Sequence, residues 1–225
     1  YYHKYKLDAS EKIPVDLLPE RYGRALAIQL SCESLGEECL SDTFALVHHF
    51  AMHDRKIPAG LEASVLCGGF RGDGKQDELV AVWRKMSLTS DPAFKSILIG
   101  SLGCSDNEQF LKDYLESSLG SSASQVNYTT AQRREVFNSV LKSHSGLPVI
   151  IDFLETHEAT IISSYQWTLY TLLSNVAATI KNREDQSIFL TYIGGVTGLT
   201  GDQYRSVIQM IYNNLALQST PTNAR

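Results

Sequence analysis

The amino-acid sequence predicts an all-α fold, an irregular α-solenoid, and three observations predict it. Apolar residues recur at helical spacing along most of the 225 residues, and strand-like alternation is almost absent. Short Gly-, Pro- and Ser-containing breaks cut the chain into helix-sized pieces joined by tight turns. The pieces then pair off as an aliphatic helix, a polar turn and a second helix with an aromatic near its middle, at Trp83, Tyr114, Phe153 and Phe189. Spacings of 31 to 39 residues between these aromatics lie in the range of HEAT/armadillo-like helical hairpins, whose apolar faces are buried by stacking. A helical bundle is the alternative architecture.

Residues 1–20 carry Pro14 and Pro19 and little periodicity, and read as an irregular lead-in segment; 21–218 form the helical domain and 219–225 a polar tail. Within the domain, a helix is expected over 22–35, closed by Gly36. The next, over 37–52, carries Leu40, Phe44, Val47 and Ala51 on one face. Pro58 and Gly60 break the pattern. A further pair runs over 61–70 and 76–86, divided by Gly68-Gly69 and Gly72-Asp73-Gly74. The clearest hairpin follows. Phe94, Ile97, Leu98, Ser101 and Leu102 share one helical face, and Phe110, Leu111, Tyr114, Leu115 and Leu119 share the next. Ser105 with Glu108 forms a capping box, which sets the start of the second helix. Beyond a Ser- and Gly-rich loop at 117–124, Thr129 with Gln132 forms another box, before a helix carrying Val136, Phe137, Val140 and Leu141. Gly146 is expected to end that helix and Pro148 to sit in the first turn of one carrying Ile150, Phe153, Leu154 and His157. A strongly periodic helix at 165–180, with Leu169, Leu172, Leu173 and Val176, precedes helices at 187–193 and 204–215.

With 43% apolar and 20% charged residues the chain has the material for a sizeable core and too few charges for disorder. A net charge of -5, with Lys and Arg scattered, gives no basic field for phosphates or anionic lipid, so nucleic acid is excluded as an expected partner. No apolar run approaches the ~18 to 20 residues that span a bilayer. The start Tyr1-Tyr2-His3-Lys4 has neither Met nor a signal-peptide pattern, which is read as a mature or excised fragment.

Four cysteines, Cys32, Cys39, Cys67 and Cys104, lack C-x-x-C spacing and a His at zinc-finger distance, which argues against structural zinc. Cys32 and Cys39 flank the Gly36 turn, and Cys67 and Cys104 lie in the first helices of successive repeats. Bridges 32–39 and 67–104 are therefore geometrically easy and would mean an oxidising compartment; four buried thiols in a reducing one are the other reading. Asn127-Tyr128-Thr129 is an N-glycosylation sequon in a polar loop, pointing the same way as the bridges.

Catalytic motifs are missing. Gly69 to Gln76 approaches a phosphate-binding loop, but Gln76 replaces the hydroxyl that binds Mg²⁺ and a helix precedes it. Arg71-Gly72-Asp73 matches an integrin tripeptide, though turn chemistry explains it as well. His49 and His53 stand i, i+4, the spacing of a metal pair, but Phe50 occupies the place of the general-base Glu. They are read as solvated surface histidines, with His48 on the apolar side as a core histidine. Neither G-x-S-x-G nor G-x-G-x-x-G occurs. No catalytic or metal-binding residue is expected in this chain.

LGCSDNEQFLKDYLESSL, at 102–119, resembles the Gly-Cys-Ser … Leu-x-x-Tyr-Leu hairpin in the C-terminal domain of the aminopeptidase N family of zinc metallopeptidases. Ile57-Pro58-Ala59-Gly60-Leu61, Ser64-Val65-Leu66-Cys67-Gly68-Gly69, Trp83 and the segment from Ile28 to Cys39 are similar to its other segments, over about 21–215; Glu62 stands where the family usually has Arg. The resemblance implies two disulfides, 32–39 and 67–104, a curved HEAT-like array and an animal ectodomain. It implies a non-catalytic cap, whose concave side meets peptide substrates and closes over the upstream catalytic domain of the same polypeptide. H-E-x-x-H and G-A-M-E-N have no counterpart here, so the zinc belongs to that absent domain. The implied location is extracellular, at the cell surface and membrane-anchored through a segment not in this chain. The alternative function is an interaction module, a receptor surface onto which a bacterial toxin or a virus docks.

Overall fold

The computed structural model describes residues 18–34, 36–71, 75–120 and 126–219; the expectations for 1–17, for the turn at 72–74, for 121–125 and for 220–225 lie outside them. Among the described residues there are eleven α-helices and no strand. They are α1 (Leu18–Glu33), α2 (Glu37–His53), α3 (Glu62–Phe70), α4 (Gln76–Leu88), α5 (Pro92–Leu102) and α6 (Glu108–Ser118), then α7 (Thr130–Val140), α8 (Gly146–Tyr165), α9 (Leu169–Ala177), α10 (Arg183–Gly195) and α11 (Gly201–Ser219). The odd helices pack as α1 on α3, α3 on α5, α5 on α7 and α9 on α11, and the even ones as α2 on α4, α6 on α8 and α8 on α10. Seven of the nine next-but-one pairs pack in this way, the arrangement by which stacked hairpins bury their faces. Trp83, Tyr114, Phe153 and Phe189 fall on α4, α6, α8 and α10, so the aromatic repeat in the sequence marks one layer of the stack.

Glycine sets the closeness of the first hairpins. A Cβ on Gly69 would lie 2.4 Å from Val47 Cγ2, and one on Gly68 2.7 Å from Cys32 Sγ, so α3 lies against α2 and α1 with its backbone bare. A Cβ on Gly103 would meet Ser139 Oγ at 2.1 Å, which presses the end of α5 onto α7. The core between α4, α5 and α6 is aromatic. Trp83 meets Phe110 and Tyr114 edge-on, both at 5.5 Å between ring centroids. The buried Tyr114 hydroxyl donates to Ile99 O at 3.1 Å, and burial holds its phenol well above the usual range. Further along, Tyr165 is buried with its hydroxyl 2.6 Å from Ser118 Oγ, tying α8 to α6.

Several boundaries differ from the sequence expectation for local reasons. Asn107, not Ser105, caps α6: its side chain accepts the Phe110 N–H at 2.9 Å, while Ser105 Oγ accepts the Asn107 N–H at 3.1 Å and so places the cap. Gly36 opens α2 in an extended conformation (φ -64°, ψ 113°) instead of closing α1 in a left-handed one. Gly146 begins α8 rather than ending α7, because a Cβ there would fall 1.9 Å from Val140 O. The periodic stretch at 165–180 is two elements. Gln166 is left-handed at φ 53°, and Thr168 restarts the chain by accepting the Thr171 N–H at 3.1 Å. Arg134 seals the break, donating to Tyr165 O at 2.7 Å and Gln166 O at 2.9 Å. The box of Thr129 and Gln132 is present in both directions.

Candidate functional site

The cysteines come together as two bridges. Cys32–Cys39 spans seven residues with Cα atoms 5.4 Å apart, joining the end of α1 to the start of α2. Cys67–Cys104 spans 37 residues with Cα atoms 5.1 Å apart, joining α3 to the turn after α5. Arg71, at the end of α3, is 4% exposed and reaches Cys32 O at 3.5 Å and His144 Nε2 at 3.4 Å, with Glu33 Oε1 at 4.0 Å. A guanidinium buried among α1 and the α7–α8 turn is not offered to an adhesion receptor. Lys75 donates to Arg71 O and lies over the Phe44 ring at 5.1 Å.

Three imidazoles gather on the last turns of α2: His48–His53 and His49–His53 centroids are 5.7 Å apart and His48–His49 6.1 Å. His48 is not the core histidine of the sequence reading. Its side chain is 44% exposed and its Nδ1 meets Glu78 Oε1 of α4 at 2.7 Å. His49 is half-buried as well, and its Nδ1 is out of solvent and without a hydrogen-bond partner. Burial, then the nearby Arg55, His53 and His48, lower its pKa. Among the described residues no group of three His, Cys, Asp or Glu is placed to hold a metal ion, so nothing described here fits the zinc of the resemblance. Asn127 is exposed, two residues ahead of the Thr129 cap of α7.

Where α8 and α10 run side by side, a groove opens between them. Ile151, Glu155, Ser187, Ile188, Thr191, Tyr192 and Gly195 line one part of it. Leu154, Glu155, Glu158, Tyr192, Gly195, Val196 and Thr197 line the other. Tyr192 donates to Glu158 Oε2 at 3.4 Å across it. Sequence reasoning missed these pairings because the partners stand 30 (His48, Glu78), 73 (Arg71, His144) and 34 (Glu158, Tyr192) residues apart, with no local pattern to join them. No described helix is long and apolar enough to cross a membrane.

Comparison with known proteins gives these features a context. The chain is 27% identical over 167 residues to an aminopeptidase N from Plutella xylostella, an alignment that takes in 72% of this chain and 17% of that protein. This chain thus spans about a sixth of that relative's length. The profile of the ERAP1-like C-terminal domain matches residues 2–189, most of the chain, and the chain belongs to that family.

Proposed function

We propose that this chain is the non-catalytic C-terminal domain of a zinc aminopeptidase, which removes N-terminal amino acids from peptides, and that its helices cap the active-site chamber and shape peptide access. The observation that carries the reading is the family match over residues 2–189, joined to the similarity with an aminopeptidase N of which this chain spans 17%. The upstream catalytic domain of the same polypeptide is its first partner, and holds the zinc. A wall for such a chamber must keep its shape, and a stack clamped by two disulfides and bare-backbone contacts is suited to that. The peptide-facing side is the concave surface of the array. Bridges of this kind accord with an extracellular ectodomain, anchored outside residues 1–225. Asn127, exposed in its sequon, is the proposed glycan site.

Comparing the full-length enzyme with one lacking this domain tests the reading. Single-residue fluorogenic substrates should be cleaved by both, while the dependence of cleavage on peptide length should differ. An unchanged length dependence would overturn the capping role. A glycosidase that removes N-linked glycans should increase the mobility of the secreted protein, and an Asn127→Gln variant should show one step less of that shift.

A further inference from the structure

We propose that the groove between α8 and α10 is a docking subsite for a basic side chain, lysine or arginine, carried by a peptide segment. The aliphatic stem lies on Ile151 and Ile188, and the cationic head sits among Glu155, Glu158 and the Tyr192 ring. The assignment goes beyond the capping reading and does not depend on it.

Shape is the first ground. The two parts of the groove, of about 520 and 350 Å³, share Glu155, Tyr192 and Gly195 and so form one continuous depression. Each is within the range of ~300 to 1,000 Å³ that small ligands or a few peptide side chains fill. Chemistry is the second. One end presents isoleucine side chains, and the other presents two carboxylates spaced i, i+3 on α8 with a tyrosine ring opposite. A side chain that is apolar along its stem and charged at its tip matches that gradient, and the ring adds a face on which a cation can rest. Charge balance is the third. Asp152, one turn earlier on α8, is matched by Lys112 at 2.6 Å, whereas Glu155 and Glu158 have no Lys or Arg ion pair among the described residues. Burial and both of these carboxylates push the Tyr192 phenol up, with no cation opposing them. A purely apolar occupant would strip water from the carboxylates with nothing to replace it. A divalent ion would lack a third ligand, since no metal-holding group exists among the described residues.

The test is fluorescence anisotropy at low salt with this chain and labelled pentapeptides whose central residue is lysine, arginine or norleucine, flanked by leucine and alanine. Lysine and arginine peptides should bind, and the norleucine peptide should bind about tenfold more weakly, the scale of one lost charge-assisted contact. Glu155→Gln with Glu158→Gln should weaken the lysine peptide about tenfold. Glu37→Gln with Glu116→Gln removes the same charge from exposed sites elsewhere and should change nothing. Circular dichroism checks that each variant keeps its helices. Equal binding of the norleucine peptide, equal losses in the two double variants, or no binding of the lysine peptide to the unaltered chain would each overturn the assignment. Equal losses would mean a general attraction to a net charge of -5.

Discussion

The helices from α1 to α7 and those from α8 to α11 follow one hairpin plan but are held together differently. In the first group backbone meets side chain directly. Gly68, Gly69 and Gly103 leave less than 3 Å for a Cβ, and both disulfides lie there. In the second group Gly146 is tight only where α8 leaves the end of α7, Gly194 and Gly195 on α10 have open space where a Cβ would be, and the last helices bury large side chains such as Phe189, Ile193, Val207 and Ile211. Close approach needs small residues and leaves no gaps; contact through long side chains leaves grooves where the fit is incomplete. The difference teaches where each part of such a stack can do work: the braced end fixes shape, and the looser end has room for a ligand.

Removing the bridges should show the largest contrast. In the chain-entropy view, the 37-residue span of Cys67–Cys104 contributes about 4 kcal/mol, and the seven-residue span of Cys32–Cys39 about 2.5 kcal/mol. Urea unfolding of the Cys67→Ser/Cys104→Ser and Cys32→Ser/Cys39→Ser variants measures both. A smaller loss for the longer bridge would mean that the braced end owes its stability to packing rather than to loop closure.

Glycine substitutions sharpen the same contrast with opposite signs. Gly103→Ala forces a methyl into Ser139 and should destabilise by about 1 to 3 kcal/mol. Gly194→Ala, on α10 with nothing within 4 Å, should stabilise by about 0.5 to 1 kcal/mol through the unfolded chain's lost freedom. Thermal midpoints of the two variants moving in the same direction would contradict the division. Between these lies Thr168→Ala, which removes the cap of α9 and should cost about 1 kcal/mol in the same assay.

How much of this was written locally in the sequence follows from the same physics. Helix content, the aromatic layer and the Thr129 box depend on residues within one or two turns, so periodicity and capping rules reach them. The ends around Gly36, Gly146 and Gln166 depend on neighbours in space: Gly146 is required by Val140 O, and Gln166 is held by Arg134, 32 residues away. The disulfide pairs were accessible because stacking order alone brings Cys67 beside Cys104. The groove was not, since nothing at Glu155, Glu158 or Tyr192 announces that α10 runs past α8.

The smallest effect concerns pH and separates the two ends by sign. His49 has its pKa lowered from 6.5, first by burial and then by Arg55, His53 and His48. Facing this cluster are Glu78, paired with His48, and the Lys85–Asp54 pair from α4 to the residue after α2. Between the lowered value and 6.5 the unfolded chain binds a proton that the folded chain refuses, so the contribution is complete above 6.5 and is lost as pH falls through that window. Asp185, in the first turn of α10, is opposite. Its pKa is raised from 3.8, chiefly by burial, so the folded state binds the extra proton; that contribution is complete below 3.8 and is lost as pH rises through the raised value. Acidification should therefore weaken the α2 end first and favour the start of α10 at lower pH. Urea midpoints measured from pH 8 to pH 3 on the unaltered chain, on His49→Asn and on Asp185→Asn read both. His49→Asn should flatten the fall just below neutrality and leave the more acidic limb unchanged, and Asp185→Asn should do the reverse. A fall below neutrality that persists in His49→Asn would move the proton to another group and remove this distinction between the ends.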